Sequence, residues 1–206
     1  MDPAPYHPIQ PPFERQLTEL SKKELREHNQ WFHQVLPSRI QELARVVASS
    51  PGFETWLPDF TPDSLNALGD WFAAQVDRRP RTQEENDAIP TWVGAPSWEL
   101  TPRTFSFSAD VGMYLCQVFV QNHPSLTWAQ PMGSKRFIDY GHPVLMGFKG
   151  KVPLNGPQML VTHAYGLVDG NGTGKDLRKI YDIWSAMVEA INKRGKQGHA
   201  SAEPTI

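Results

Sequence analysis

The sequence predicts an α+β fold: a helical N-terminal half, a small antiparallel sheet and two C-terminal helices. Capped apolar runs of helical period fill the first half and recur at the end of the chain. Between residues 126 and 148 the pattern changes to short aromatic or β-branched runs separated by Pro, Gly and Ser. The length of 206 residues, with 39% hydrophobic and 20% charged residues, suits one core.

Residues 1–20 read as a Pro-rich extended arm, with five prolines in the first twelve positions. Residues 21–192 read as the single α+β domain, and 193–206 as a flexible Lys/Gly/Ser-rich tail. Ser21 and Glu24 form a capping-box pattern ahead of Leu25, Phe32, Val35 and Leu36. Pro37 is expected to break or kink that helix. A second helix then carries Ile40, Leu43, Ala44 and Val47 from Ser38 to Ala48. Thr61-Pro62-Asp63 starts the next, with Leu65, Leu68, Phe72 and Val76 on one side. Residues 77–88 are charged and non-periodic, a long loop, and 89–100 read as irregular chain or a short strand.

The central helix follows, capped by Ser106 or Ser108 and ended by Asn122-His123-Pro124. Phe107, Val111, Tyr114, Leu115, Val118 and Phe119 give it a broad apolar face, and Ala109, Gly112 and Cys116 a strip where another backbone can approach. Residues 126–130, 136–140 and 144–148 are the expected strands. Pro157 opens a helix to Val168, and the last runs from Gly174 to Asn192.

Chemistry-bearing motifs are sparse. Asp169 to Lys175 fails as a P-loop, because Asp176 follows Gly174-Lys175 and no glycine stands five before Gly174. It fails as a calcium loop because position 12 is Ile180. It reads as a link between helices with Thr173 as cap. The single cysteine, Cys116, excludes an intrachain disulfide and a Cys-based zinc site, and its place in a helix stripe suits packing. No HExxH or GxSxG occurs. No metal or cofactor is expected.

Charge and hydropathy narrow the partners. The formal charge of -2 argues against a surface that grips DNA phosphates. No run approaches the roughly 20 apolar residues of a membrane span. The N-terminus lacks the basic start and apolar core of a secretory signal, so a cytoplasmic protein is expected. The average hides an asymmetry. Residues 1–103 hold 10 basic and 15 acidic side chains, and 104–206 hold 10 and 7. Glu84, Glu85 and Asp87 lie close to Trp92 and Trp98, a pairing of acid and loop aromatic that suits a basic protein surface. The alternative is an enzyme of hydrolase-like type assembled from distant residues, with Asp139, Tyr140, His142 and His163 as its polar cluster near the sheet edge. A phage or secretion-system adaptor is the third reading.

Residues Ser108 to Leu115, Asn122-His123-Pro124, Leu126-Thr127-Trp128 and Pro143 to Phe148 resemble small bacterial immunity-type proteins encoded beside polymorphic or secreted toxins. The resemblance covers residues 104–190. Cys116 stands where that family has a small residue, and Gln117 where it has an acid. The resemblance implies a cytosolic, non-catalytic protein that binds and blocks a cognate toxin. It also implies that Asp110 caps its helix.

Overall fold

The computed structural model describes residues 5–90 and 94–197, with side chains as far as 188. It is an α+β fold, with six α-helices and two two-stranded antiparallel sheets among the described residues. Helix α1 spans Lys22–Ala48. Its capping box is complete: Ser21 Oγ accepts the Glu24 amide at 3.3 Å, and Glu24 Oε2 accepts the Ser21 amide at 2.8 Å.

The expected break at Pro37 does not occur, and the helix runs through it. Proline there has no N–H for the carbonyl of His33 and costs about 3 kcal/mol. Phe32 and Leu36 before it and Ile40, Leu43 and Val47 after it are all buried on one stripe. Each such side chain gains about 1.5–3 kcal/mol on burial, so the continuous stripe outweighs the missing bond.

Helix α2 spans Ser64–Gln75 behind a turn in which Thr61 Oγ1 accepts the Ser64 amide at 3.3 Å. Leu65, Leu68, Trp71 and Phe72 are fully buried. Trp56 plugs the same core, its indole N–H donating to the Ser64 carbonyl at 3.0 Å. Residues 77–88 are not a plain loop. Strand β1, Arg78–Pro80, pairs with β2, Trp98–Leu100, and helix α3, Gln83–Asp87, stands between them. A second capping box, Thr82 with Glu85, nucleates α3.

Helix α4, Pro102–Asn122, is the hub. It packs against α1, α2, the later helices α5, Gly156–Val168, and α6, Asp176–Gln197. Its cap is Thr101, whose hydroxyl accepts the Thr104 amide at 3.2 Å, not Ser106 or Ser108. Those serines lie inside the helix, and Ser108 donates to the Thr104 carbonyl. The small-residue strip meets α5 as expected: a Cβ on Gly112 would lie 2.4 Å from the Pro157 nitrogen.

Strand β3, Thr127–Ala129, pairs with β4, Val144–Met146, in the register Trp128↔Leu145. The expected strand at 136–140 is absent, because its amides close successive turns: Phe137 N–H to Ser134 O, and Tyr140 N–H to Phe137 O, both at 3.0 Å. Asn155 caps α5 by accepting the Gln158 amide. The cap expected at Thr173 is reversed, since Asp176 Oδ2 accepts the Thr173 amide at 2.6 Å. Helix α6 continues to Gln197, past the expected end at Asn192, and residues 198–206 of the expected tail lie outside the described residues.

Candidate functional site

The acidic residues chosen from the sequence sit on the β1–α3–β2 unit. Glu85 is spent on structure: Arg79 donates to both its oxygens, at 2.8 and 2.6 Å, and the Thr82 amide donates to Oε2. These bonds, Arg79 first, hold its carboxyl at about 2. Glu84 and Asp87 are exposed; Asp87 accepts from Gln83 Nε2 at 2.8 Å. Trp98 is half-buried between the Arg78 guanidinium, 5.3 Å from its ring, and the Tyr165 ring at 5.6 Å. Glu99, also on β2, accepts from Arg81 at 2.9 Å and from the Tyr165 hydroxyl. Trp92 lies outside the described residues. The acids therefore form no unbroken acidic face; arginines 78, 79 and 81 stand among them.

The second predicted cluster is split in two. Asp139 and His163 line one groove of about 580 Å³. Tyr140 is buried on the other side, in a small apolar cluster with Leu20 and Leu25. His142 joins it there, lining a depression with His28, Phe13 and Leu17. Turns at 134–142 place Asp139 and Tyr140 in different surroundings, which residue order does not show.

The groove is built by three segments. Helix α5 supplies Gln158, Met159, Thr162 and His163; the start of α6 supplies Asp176 and Ile180. Asp139 and Asn155 close one end. Asp139 is only 9% exposed, and its Oδ1 accepts from Asn155 Nδ2 at 2.9 Å. Asp176 accepts from Lys179 at 2.6 Å and from the Thr173 amide, which hold its carboxyl at about 2. His163 Nε2 is buried without a hydrogen-bond partner among the described residues. Burial lowers the His163 pKa against the field of Asp176, so the ring is biased toward its neutral form. Asn155, Gln158 and Asp176 went unselected in the sequence; the Asn-Gly-Pro helix start at 155–157 was their one local signal.

The depression on the other side predicts a pH dependence. Burial first, then the field of His142, lowers His28 to about 4, and its Nδ1 has no hydrogen-bond partner. Burial also lowers His142, against Asp139. An unfolded histidine binds its proton near pH 6.5, so between there and pH 4 the unfolded chain holds more protons. Stability is therefore complete above about pH 6.5 and falls as the pH drops toward the folded value. Urea unfolding should lose about 1–2 kcal/mol between pH 7 and pH 5 from His28, after discounting its partial exposure. An NMR titration of the His28 ring with a midpoint at 6 or above would refute this.

The best-built polar site escaped sequence reading altogether. Asp110 is fully buried in the middle of α4, not at a cap as the resemblance implied. Arg39 of α1 donates to both its oxygens, Nε at 2.8 Å and Nη2 at 2.6 Å. The Tyr6 hydroxyl donates to Oδ2 at 2.5 Å. Burial raises the Asp110 pKa and the Arg39 bonds oppose it. Tyr6 is raised too, by burial first and by Asp110 next. The Asp110 carboxylate at its centre is wholly buried and already accepts from Arg39 and Tyr6, so its role is to hold the chain together. The Cys116 thiol is likewise buried and pushed up to about 12 by desolvation, which makes it inert packing.

Among the described residues no three His, Cys, Asp or Glu side chains are placed to hold a metal ion, and no helix is long and apolar enough to cross a membrane. No family model matches this chain, and no match was found among curated proteins or solved structures.

Proposed function

We propose that this protein is a non-catalytic binding protein of the bacterial immunity type, acting in the cytoplasm to neutralise a cognate toxin through a basic surface on that toxin. The observation that carries the reading is the pair of exposed acids on the β1–α3–β2 unit. The pairs Arg79–Glu85 and Arg81–Glu99 fix its shape from within. Glu84 and Asp87, exposed on its short helix, form no ion pair among the described residues and are free to steer a basic partner. The likeness of residues 104–190 to immunity-type proteins adds support.

The test is protection. The reading requires a toxin gene beside this one; cells expressing that toxin should survive only when the chain is co-expressed, and the two proteins should elute as one stoichiometric complex. Changing Glu84 and Asp87 together to lysine should weaken that complex about 10-fold, mainly through slower association. Unchanged toxicity together with separate elution would remove the proposal.

A second reading draws on the groove, since Asp139 and His163 line one cavity, as an enzyme assembled from distant residues would require. A defined turnover that His163→Gln abolishes would favour it.

A further inference from the structure

The groove between α5 and α6 has a property that neither protein binding at the β1–α3–β2 platform nor packing explains. It is about 580 Å³, within the roughly 300–1,000 Å³ of small-ligand sites. Its lining carries two carboxylates, Asp139 and Asp176, and no lysine or arginine. The two acids are not equivalent. Asp176 is already engaged by Lys179 and by Thr173. Asp139 is nine-tenths buried and shares only Oδ1, with Asn155; Oδ2 accepts no hydrogen bond among the described residues. That Oδ2 is not sealed from water and belongs to a groove-lining side chain, so it is open to a cationic donor.

The other walls define the rest of the ligand. Met159, Ile180 and Pro153 supply an apolar flank beside the acid. His163 adds a half-buried imidazole with an unpartnered Nε2, biased to the neutral form, so it does not repel a cation. Exposed Gln158 and Asn171 stand at the rim.

We infer that this groove binds an alkyl cation: an ammonium or guanidinium group seated on the Asp139 carboxylate, with its aliphatic stem along Met159 and Ile180. The site is independent of the toxin-binding reading, since it is tested on the protein alone. A free amine and a basic side chain of another protein carry the same chemistry.

The experiment is an NMR titration of the full chain with butylguanidinium, at constant ionic strength, following the His163 ring and the Met159 methyl. A saturable shift at both residues is expected. Butylurea, its neutral analogue, should bind at least 10-fold more weakly. Asp139→Asn keeps an acceptor for Asn155 Nδ2 and should weaken butylguanidinium at least 10-fold while its melting curve stays near that of the parent chain. No saturable shift overturns the proposal, as does equal binding of the neutral analogue, which needs no variant. Unchanged affinity in a folded Asp139→Asn protein also overturns it. Comparing butylguanidinium with N-acetyl-arginine methylamide then separates the sources. Tighter binding of the blocked arginine identifies a protein side chain, and tighter binding of the bare cation identifies a free small molecule. Both outcomes support the site.

Discussion

Replacing Asp110 with alanine should destabilise the fold by about 3–5 kcal/mol, the range for breaking one partner of a buried ion pair. The loss comes from what remains. Arg39 is 11% exposed in its side chain, and without Asp110 its charge stays buried beside apolar α4. It would retain only the His7 carbonyl at 2.8 Å and the Tyr6 hydroxyl at 3.0 Å. Tyr6 in turn loses its strongest acceptor. For a chain of this size the loss is a drop of about 8–15 °C in melting temperature. Tyr6→Phe should cost less, about 1–2 kcal/mol, because Arg39 still satisfies both carboxylate oxygens. Pairing Asp110→Leu with Arg39→Met should recover most of the loss, since an apolar pair leaves no orphaned charge. Urea unfolding of the four proteins measures all of this. An Asp110→Ala protein within about 1 kcal/mol of the parent would show that the network contributes little.

The same network changes what the N-terminal arm is. Its described residues, 5–20, include the short 3-10 turn Leu17–Glu19, and several of them are tied to the helices. The Ile9 amide donates to Ser106 Oγ at 2.8 Å, the His7 amide to Glu42 at 2.8 Å, and Arg45 to the Pro5 carbonyl at 2.7 Å. The Tyr6 ring packs at a tilt against Phe107, centroids 4.3 Å apart. The arm is thus a strap that seals Asp110 from water, and it should come loose in Asp110→Ala before the helices melt. Trypsin should then cut at Arg15 sooner than in the parent chain.

How much of this was legible follows from how local each signal is. The caps at Ser21 and the stripe on α6 involve residues three or four apart, and both were readable. Thr82 and Glu85 form an equally local box, but the charge around them masked it, and a helix was read as loop. Pro37 was misread because local cost and tertiary gain oppose each other there, and only the buried stripe decides. Arg39 and Asp110 are 71 positions apart, and neither belongs to a motif, so their pairing had no sequence signature. The fate of Asp139 against Tyr140 depends on turn hydrogen bonds, which composition does not encode. The groove itself is half legible: Asp139 and His163 stand out as polar groups near one edge, while Asn155, Gln158 and Asp176 belong to no motif that marks them.

The small-residue strip yields the other large effect. Gly112→Ala should destabilise by about 3 kcal/mol or more, at the upper end of overpacking costs. The added Cβ would lie 2.4 Å from the Pro157 nitrogen, 2.5 Å from the Gly156 carbonyl carbon and 2.6 Å from its oxygen. All three are backbone atoms, so no rotamer change relieves the contact. From the opposing side, a Cβ on Gly156 would meet the Gly112 oxygen at 2.4 Å and Cys116 Sγ at 2.5 Å. Helices α4 and α5 therefore cross backbone to backbone, and the substitution must pry them apart. Gly166→Ala, on the same α5, is the matched control. Nothing lies within 4 Å of its added Cβ, and no positive φ marks it. There the ordinary helix preference for alanine operates alone, and a gain of about 0.5–1 kcal/mol is expected. One substitution, made twice near one helix, should thus change sign with the space available. Since α5 also carries Gln158, Met159 and His163 into the groove, Gly112→Ala should displace that wall and weaken butylguanidinium binding; Gly166 itself lines the groove, so its alanine variant is the control for stability alone. Equal stability of the two variants in urea would mean that the crossing is looser than its geometry indicates.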